Sequence, residues 1–270
     1  MEESKGKIPG FTVIGSFLFA LLVLAIQSGL YIPFEIAAFF PFFNSNPNSM
    51  TFLQLAEELF VFLIVLLYLN RYAKKRFSQG ITLGGKPSLK TCLYILLLMV
   101  GYNLFIDNTL MQLLKDIPPD EYLIDYFEEL SVSPIVLILL VVITGPIYEE
   151  ILYRGIIMKG LLLRNKPWVA VVTSSIIFGL IHLNIHQGLN AFIIGLIFGF
   201  IYLKTDSLIP SIVMHIFNNF IAVSELLYFD GNFNLVALII GSFLLILSLK
   251  YFISYKTISE ANFASQEEPT

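Results

Sequence analysis

The chain has 270 residues, 57% of them hydrophobic and only 13% charged, with a formal net charge of −4 and a mean hydropathy of +0.80. Soluble globular chains are about a quarter charged, so this composition excludes an ordinary soluble domain. No basic domain is present to give nucleic acid an electrostatic footprint.

Crossing the hydrocarbon of a bilayer takes about 20 apolar residues in a helix. Eight apolar stretches follow one another: Phe11–Ile32, Thr51–Asn70, Thr91–Ile106, Pro134–Leu163, Trp168–His182, Leu189–Leu203, Ser207–Tyr228 and Leu235–Phe252. The chain therefore reads as all-α, a polytopic membrane helix bundle of about eight transmembrane helices. The fifth and sixth stretches are short for a full crossing. The first lacks a small-residue cleavage pattern and reads as a retained anchor rather than a signal peptide. One membrane domain is expected over 1–256, with its motif-bearing core at 134–228 and a disordered polar tail at 257–270.

The loops give an independent reading of topology, because Lys and Arg gather on the cytoplasmic side. If every stretch crosses, all 16 basic residues except Lys115 and Arg154 fall on one side. Both termini are then cytoplasmic, in a multi-pass protein of the cell (plasma) membrane. The run Arg71–Arg76 meets anionic lipid headgroups in this reading, and Trp168 is an interfacial anchor. Lys5 and Lys7 lie before the first span.

The first three spans read as scaffold, with Gln27, Glu57 and Glu58 toward their outer ends. The single cysteine, Cys92, cannot close an internal disulfide and reads as a small core residue. The polar stretch Asp107–Ser133, with Pro118, Pro119, Asp120, Glu121, Asp125, Glu128 and Glu129, reads as an outer loop. It either carries a short amphipathic helix on the membrane surface or is a solvated acidic connector.

Ionisable groups inside a span are costly, from about 2.5 kcal/mol upward at the bilayer centre, and so mark functional positions. The fourth span holds Glu149, Glu150 and Arg154. Glu150 and Arg154 are i,i+4 and share a helix face, so they can pair and offset each other's desolvation. Glu149 points about 100° away around the helix and is left for another partner. Gly145-Pro146 just upstream removes a backbone hydrogen bond, which either opens the helix beside Glu149 or is a tolerated kink.

The fifth span ends on His182, and the seventh carries His215 and Asn219 one turn apart. At about 1.5 Å rise per residue, Glu149 and His182 each lie roughly 21 Å above the inner ends of their spans, His215 roughly 12 Å and Asn219 roughly 18 Å. Groups from three helices thus fall near one level. His186 would pair with His182 as a metal pair on a continuous helix, but is expected to sit in the turn Asn184–Gly188 as an exposed polar residue. Ser211 and Asn218 are expected to bond between helices.

Glu149-Glu150-Ile-Leu-Tyr-Arg154 fits the pattern EExxxR, Phe178-Gly-Leu-Ile-His182 fits FxxxH, and His215-Ile-Phe-Asn-Asn219 fits HxxxN. In this order, on three apolar segments, they resemble the CPBP intramembrane protease family. That family includes type II CAAX prenyl endopeptidases and bacterial relatives linked to peptide processing or bacteriocin self-immunity. The resemblance covers roughly Ile143–Ala222, with no departure at a motif position. It implies that Glu149 activates a water with His182 assisting, that His215 and Asn219 stabilise the oxyanion, and that Glu150 and Arg154 hold the site's geometry. Donors aimed at developing negative charge are worth several kcal/mol. The substrate would be a membrane-associated peptide or protein, CAAX-like and prenylated or not, met within the lipid bilayer.

Two mechanisms stay open. In one, no cofactor is required. In the other, Glu149, His182 and His215 supply three ligands to a zinc or another divalent metal. There is no HExxH, and a metal-bound glutamate is poorly placed to be the base as well, which favours the metal-free route. Two other functions are also open, a non-proteolytic membrane adaptor or bacteriocin-immunity protein and a proton or ion transporter. The lack of an internal repeat weighs against the transporter.

Overall fold

The computed structural model describes residues 10–118, 120, 121, 124, 127, 133–228 and 232–255. Every regular element among them is helical, with no strand. The long helices are α1 (Val13–Ala38), α2 (Pro47–Phe77), α3 (Leu89–Asp107), α4 (Pro134–Leu162), α5 (Pro167–Leu180), α6 (Ile185–Thr205), α7 (Leu208–Tyr228) and α8 (Leu235–Ile253). Six are long and apolar enough to cross a membrane, α3 counted together with the short helix Leu110–Leu114 that follows it. The shorter apolar helices are α5 and the described apolar part of α7. The sixth span, expected to be short, begins at Ile185 and is full length, because Asn184 caps it by accepting from the Gln187 N–H. The chain is thus a multi-pass helical membrane protein. Leu18, Leu21, Phe52, Leu63, Leu93, Phe243 and Ile246 are exposed, as suits residues whose solvent is lipid.

The helices divide into two compact units. One comprises residues 1–82 and 122–177, the other 83–121 and 178–270. The tail 257–270, the residues Lys5 and Lys7, and Pro119, Asp125, Glu128 and Glu129 of the acidic stretch lie outside the described residues.

In the first unit α1, α2 and α4 converge around Phe11. Its backbone N–H donates to the Gly160 carbonyl at 2.8 Å, and its carbonyl accepts from Asn165 Nδ2 at 3.0 Å. Its ring packs with Phe19 and Tyr72, and the Arg76 guanidinium lies 5.2 Å from the ring centre. Gly160 is required here, since a Cβ would stand 2.2 Å from the Phe11 ring. We expect Gly160→Ala to cost about 1–3 kcal/mol by overpacking, read as a lowered Tm in detergent. At the opposite end of α1 and α2, Tyr31 donates to Glu58 at 3.1 Å. The Arg71–Arg76 run closes α2, and Trp168 is 65% exposed at the start of α5.

In the second unit α3 and α8 cross at Gly101 and Gly241. A Cβ on Gly101 would meet Leu245 N at 2.7 Å, and one on Gly241 would meet Phe105 N at 2.8 Å, so the backbones touch. Polar bonds tie the ends of this pair. Thr91 and Tyr251 share a hydrogen bond of 2.9 Å, and the Asn234 N–H donates to Asn108 Oδ1 at 2.6 Å. Cys92, expected in the core, is half-buried. Leu83–Gly85 docks at the start of α7, where the Ser207 hydroxyl reaches the Leu83 and Gly85 carbonyls. Gly84 takes φ +80° there, a conformation open to glycine.

Candidate active site

The candidate residues fall in both units, and each set is built by different local chemistry. Glu149, Glu150 and Arg154 belong to the first unit, on α4. Proline at 146 has no N–H to give the helix, and around it α4 changes its hydrogen-bond step. A π-helical segment, Ile138–Thr144, precedes an α-helical turn, Gly145–Glu150, and a second π-helical segment, Ile151–Met158, follows. The Thr144 hydroxyl donates to the Leu139 carbonyl five residues back at 2.9 Å, filling one of the widened turns. Such turns concentrate at functional positions. The backbone change expected at Gly145-Pro146 thus takes the form of π-helical segments before and after the turn that carries the two glutamates.

Glu150 and Arg154 are both 0% exposed, joined by a bond of 2.7 Å from Arg154 Nη1 to Glu150 Oε1. The pair expected from i,i+4 spacing exists and is wholly desolvated. Glu149 is half-buried, on a different side of the helix, so the two adjacent carboxylates have different surroundings. Ser174 of α5 donates to the Tyr153 carbonyl at 3.0 Å and braces the turn that carries Arg154.

His182, His215 and Asn219 belong to the second unit. His182 is not on α5 as expected. The helix ends at Leu180, His182 lies in the turn beyond it, and Leu183 takes φ 55° to reverse the chain. His182 Nδ1 lies 2.8 Å from the Phe178 carbonyl. A carbonyl only accepts, so Nδ1 carries the hydrogen, and a neutral ring then presents the Nε2 lone pair. His186 is likewise not in an exposed turn. It sits half-buried in the first turn of α6, with Nε2 donating to the Leu114 carbonyl at 3.3 Å.

His215 is 4% exposed, held between the rings of Phe178 (5.6 Å) and Phe198 (5.2 Å). Phe178 also meets His182 edge-on at 5.2 Å. One phenylalanine thus touches both histidines. The bend at Leu183 depends on Gly179 and Gly188, since a Cβ on Gly179 would lie 2.7 Å from the Gly188 carbonyl.

Asn219 accepts from Asn218 Nδ2 at 3.3 Å. Asn218 Oδ1 accepts from Asn103 Nδ2, also at 3.3 Å, and Asn103 Nδ2 donates to the Met99 carbonyl at 2.9 Å. Beside this series Tyr102 donates to Asn190 Oδ1. Ser211 donates to the Phe198 carbonyl at 3.3 Å. Ser211 and Asn218 bond between helices as expected. Tyr102, Asn103 and Asn190 were not expected, because an uncharged Asn or Tyr in an apolar span carries no ionisable signal.

Among the described residues no group of three or more His, Cys, Asp or Glu side chains is arranged to hold a metal ion. The zinc set Glu149, His182 and His215 would draw one ligand from the first unit and two from the second.

Residues 131–221, about a third of the chain, match the family described as Type II CAAX prenyl endopeptidase Rce1-like. The chain is also 34% identical over 85 residues to "Putative membrane peptidase YdiL" of Bacillus subtilis (strain 168), an overlap covering 31% of this chain and 35% of that protein. The chain thus spans about a third of the length of this curated relative. No solved structure matches. The family match spans all six candidate residues, and both matches support the CPBP, or CAAX-type, intramembrane protease family.

Proposed function

We propose that the protein is an intramembrane endopeptidase that hydrolyses a peptide bond of a membrane-associated protein or peptide. The carrying observation is the buried Glu150–Arg154 bond of 2.7 Å beside the half-buried Glu149. In this reading Glu150 is held in a structural pair and Glu149 carries the proton. The match of residues 131–221 to the endopeptidase family supports the same reading.

In this reading Glu149 takes a proton from a water as the water oxygen attacks the scissile carbonyl carbon. His182 Nε2, its other nitrogen anchored on Phe178, accepts a hydrogen bond from the same water. His215 and Asn219 donate to the tetrahedral oxyanion. As the intermediate collapses the C–N bond breaks, and Glu149 returns the proton to the leaving amine. Both termini are cytoplasmic, and the protein resides in the plasma membrane. A CaaX-type or other membrane-associated segment is the substrate class.

Cleavage of an internally quenched farnesylated CaaX-type peptide by the detergent-purified protein tests this. We expect His182→Ala to lower kcat by about 10²-fold, the lower range for a group assisting proton transfer, with Tm little changed. Full activity in that variant would remove His182 from the mechanism.

A further inference from the structure

The side-chain amides of Asn103, Asn218 and Asn219 form a series whose polarity is fixed at one end. Asn103 Nδ2 donates to the Met99 carbonyl at 2.9 Å. That carbonyl has no hydrogen to give, so the Asn103 amide cannot be flipped without losing the bond. Its NH2 group also donates to Asn218 Oδ1, which turns the Asn218 NH2 group toward Asn219 Oδ1. Each amide therefore sets the next, and Asn219 is held with its oxygen engaged and its NH2 group on the other side. Asn103 and Asn218 are 6% and 8% exposed, so water has little access to scramble the series, and each broken link would leave a buried polar group unsatisfied.

Resting on the proposed function, we propose that Asn103 and Asn218 are positioning residues that lock the amide of Asn219 with its NH2 group as the oxyanion donor. An amide free to flip presents a carbonyl oxygen to the oxyanion in part of the population and repels it. The series acts on the transition state and not on substrate binding, so its loss lowers kcat and leaves KM unchanged.

The test is a double-mutant cycle with Asn103→Leu, Asn219→Ala and the double variant, on the same quenched peptide, with Tm recorded for each. Asn219→Ala should lower kcat by about 10²-fold, as removal of one oxyanion donor does. Asn103→Leu should lower kcat several-fold at constant KM, and should add nothing in the Asn219→Ala background. Equal additional losses in both backgrounds, or a change confined to Tm, would overturn the proposal. Full activity of Asn219→Ala would instead overturn the oxyanion role of Asn219 on which it rests. If Asn103→Leu does not accumulate folded, Asn218→Ala takes its place in the cycle with the same expected outcomes.

Discussion

Arg154→Met is expected to be the most destabilising single substitution at the site, costing about 3–5 kcal/mol, because it leaves the Glu150 carboxylate buried without its cation. Both side chains are fully enclosed, so solvent offers no substitute partner. The physical origin of the cost can be checked by the double variant Glu150→Leu/Arg154→Met. A volume-matched apolar pair in place of a buried ion pair is often neutral, so the double variant should recover most of the Tm that the single one loses. In the proposed mechanism the pair holds the helix turn that carries Glu149, so hydrolysis should stay low in both. A single Arg154→Met with wild-type Tm would show that the pair is not the desolvated unit described.

The largest expected effect on rate is that of Glu149→Gln, about 10²–10⁴-fold in kcat, the range for loss of a general acid–base group. The amide has nearly the shape of the carboxylate but cannot take the water's proton. Glu149 is half-buried and Glu150 holds the Arg154 bond, so Tm should move little. The contrast between the neighbours is the useful part. Glu149→Gln should spare stability and remove turnover, whereas removing one partner of the Glu150–Arg154 pair should damage both. Equal stability losses at the two glutamates would contradict their division of roles.

Much of the fold was legible because a bilayer imposes a length and a composition on every spanning helix. The eight apolar stretches reappear as α1–α8, with ends moved where caps act, as at Asn184. The pairing of Glu150 with Arg154 was also readable, since i,i+4 spacing brings side chains together in an ordinary turn. The π-helical segments were not, because apolar periodicity is blind to a change of hydrogen-bond step inside an all-apolar helix. His182 left its helix for a similar reason. The break at Leu183 rests on a positive φ in a leucine and on Gly179 packing against Gly188, contacts that close only on folding. The Asn103–Asn218–Asn219 series joins residues 115 positions apart, and an asparagine in an apolar span has no local signature that separates it from any other polar helix contact.

The most direct measurement is whether the purified wild-type protein, reconstituted in lipid, cleaves a panel of prenylated CaaX-type and non-prenylated membrane peptides, with and without a strong chelator. Mass spectrometry of the products identifies the bond broken. Our account predicts cleavage at a defined peptide bond that is lost in Glu149→Gln and persists under chelation. Folded wild-type protein that cleaves nothing in the panel, or products that form equally with Glu149→Gln, would contradict it and favour a membrane protein that binds its partner without hydrolysing it.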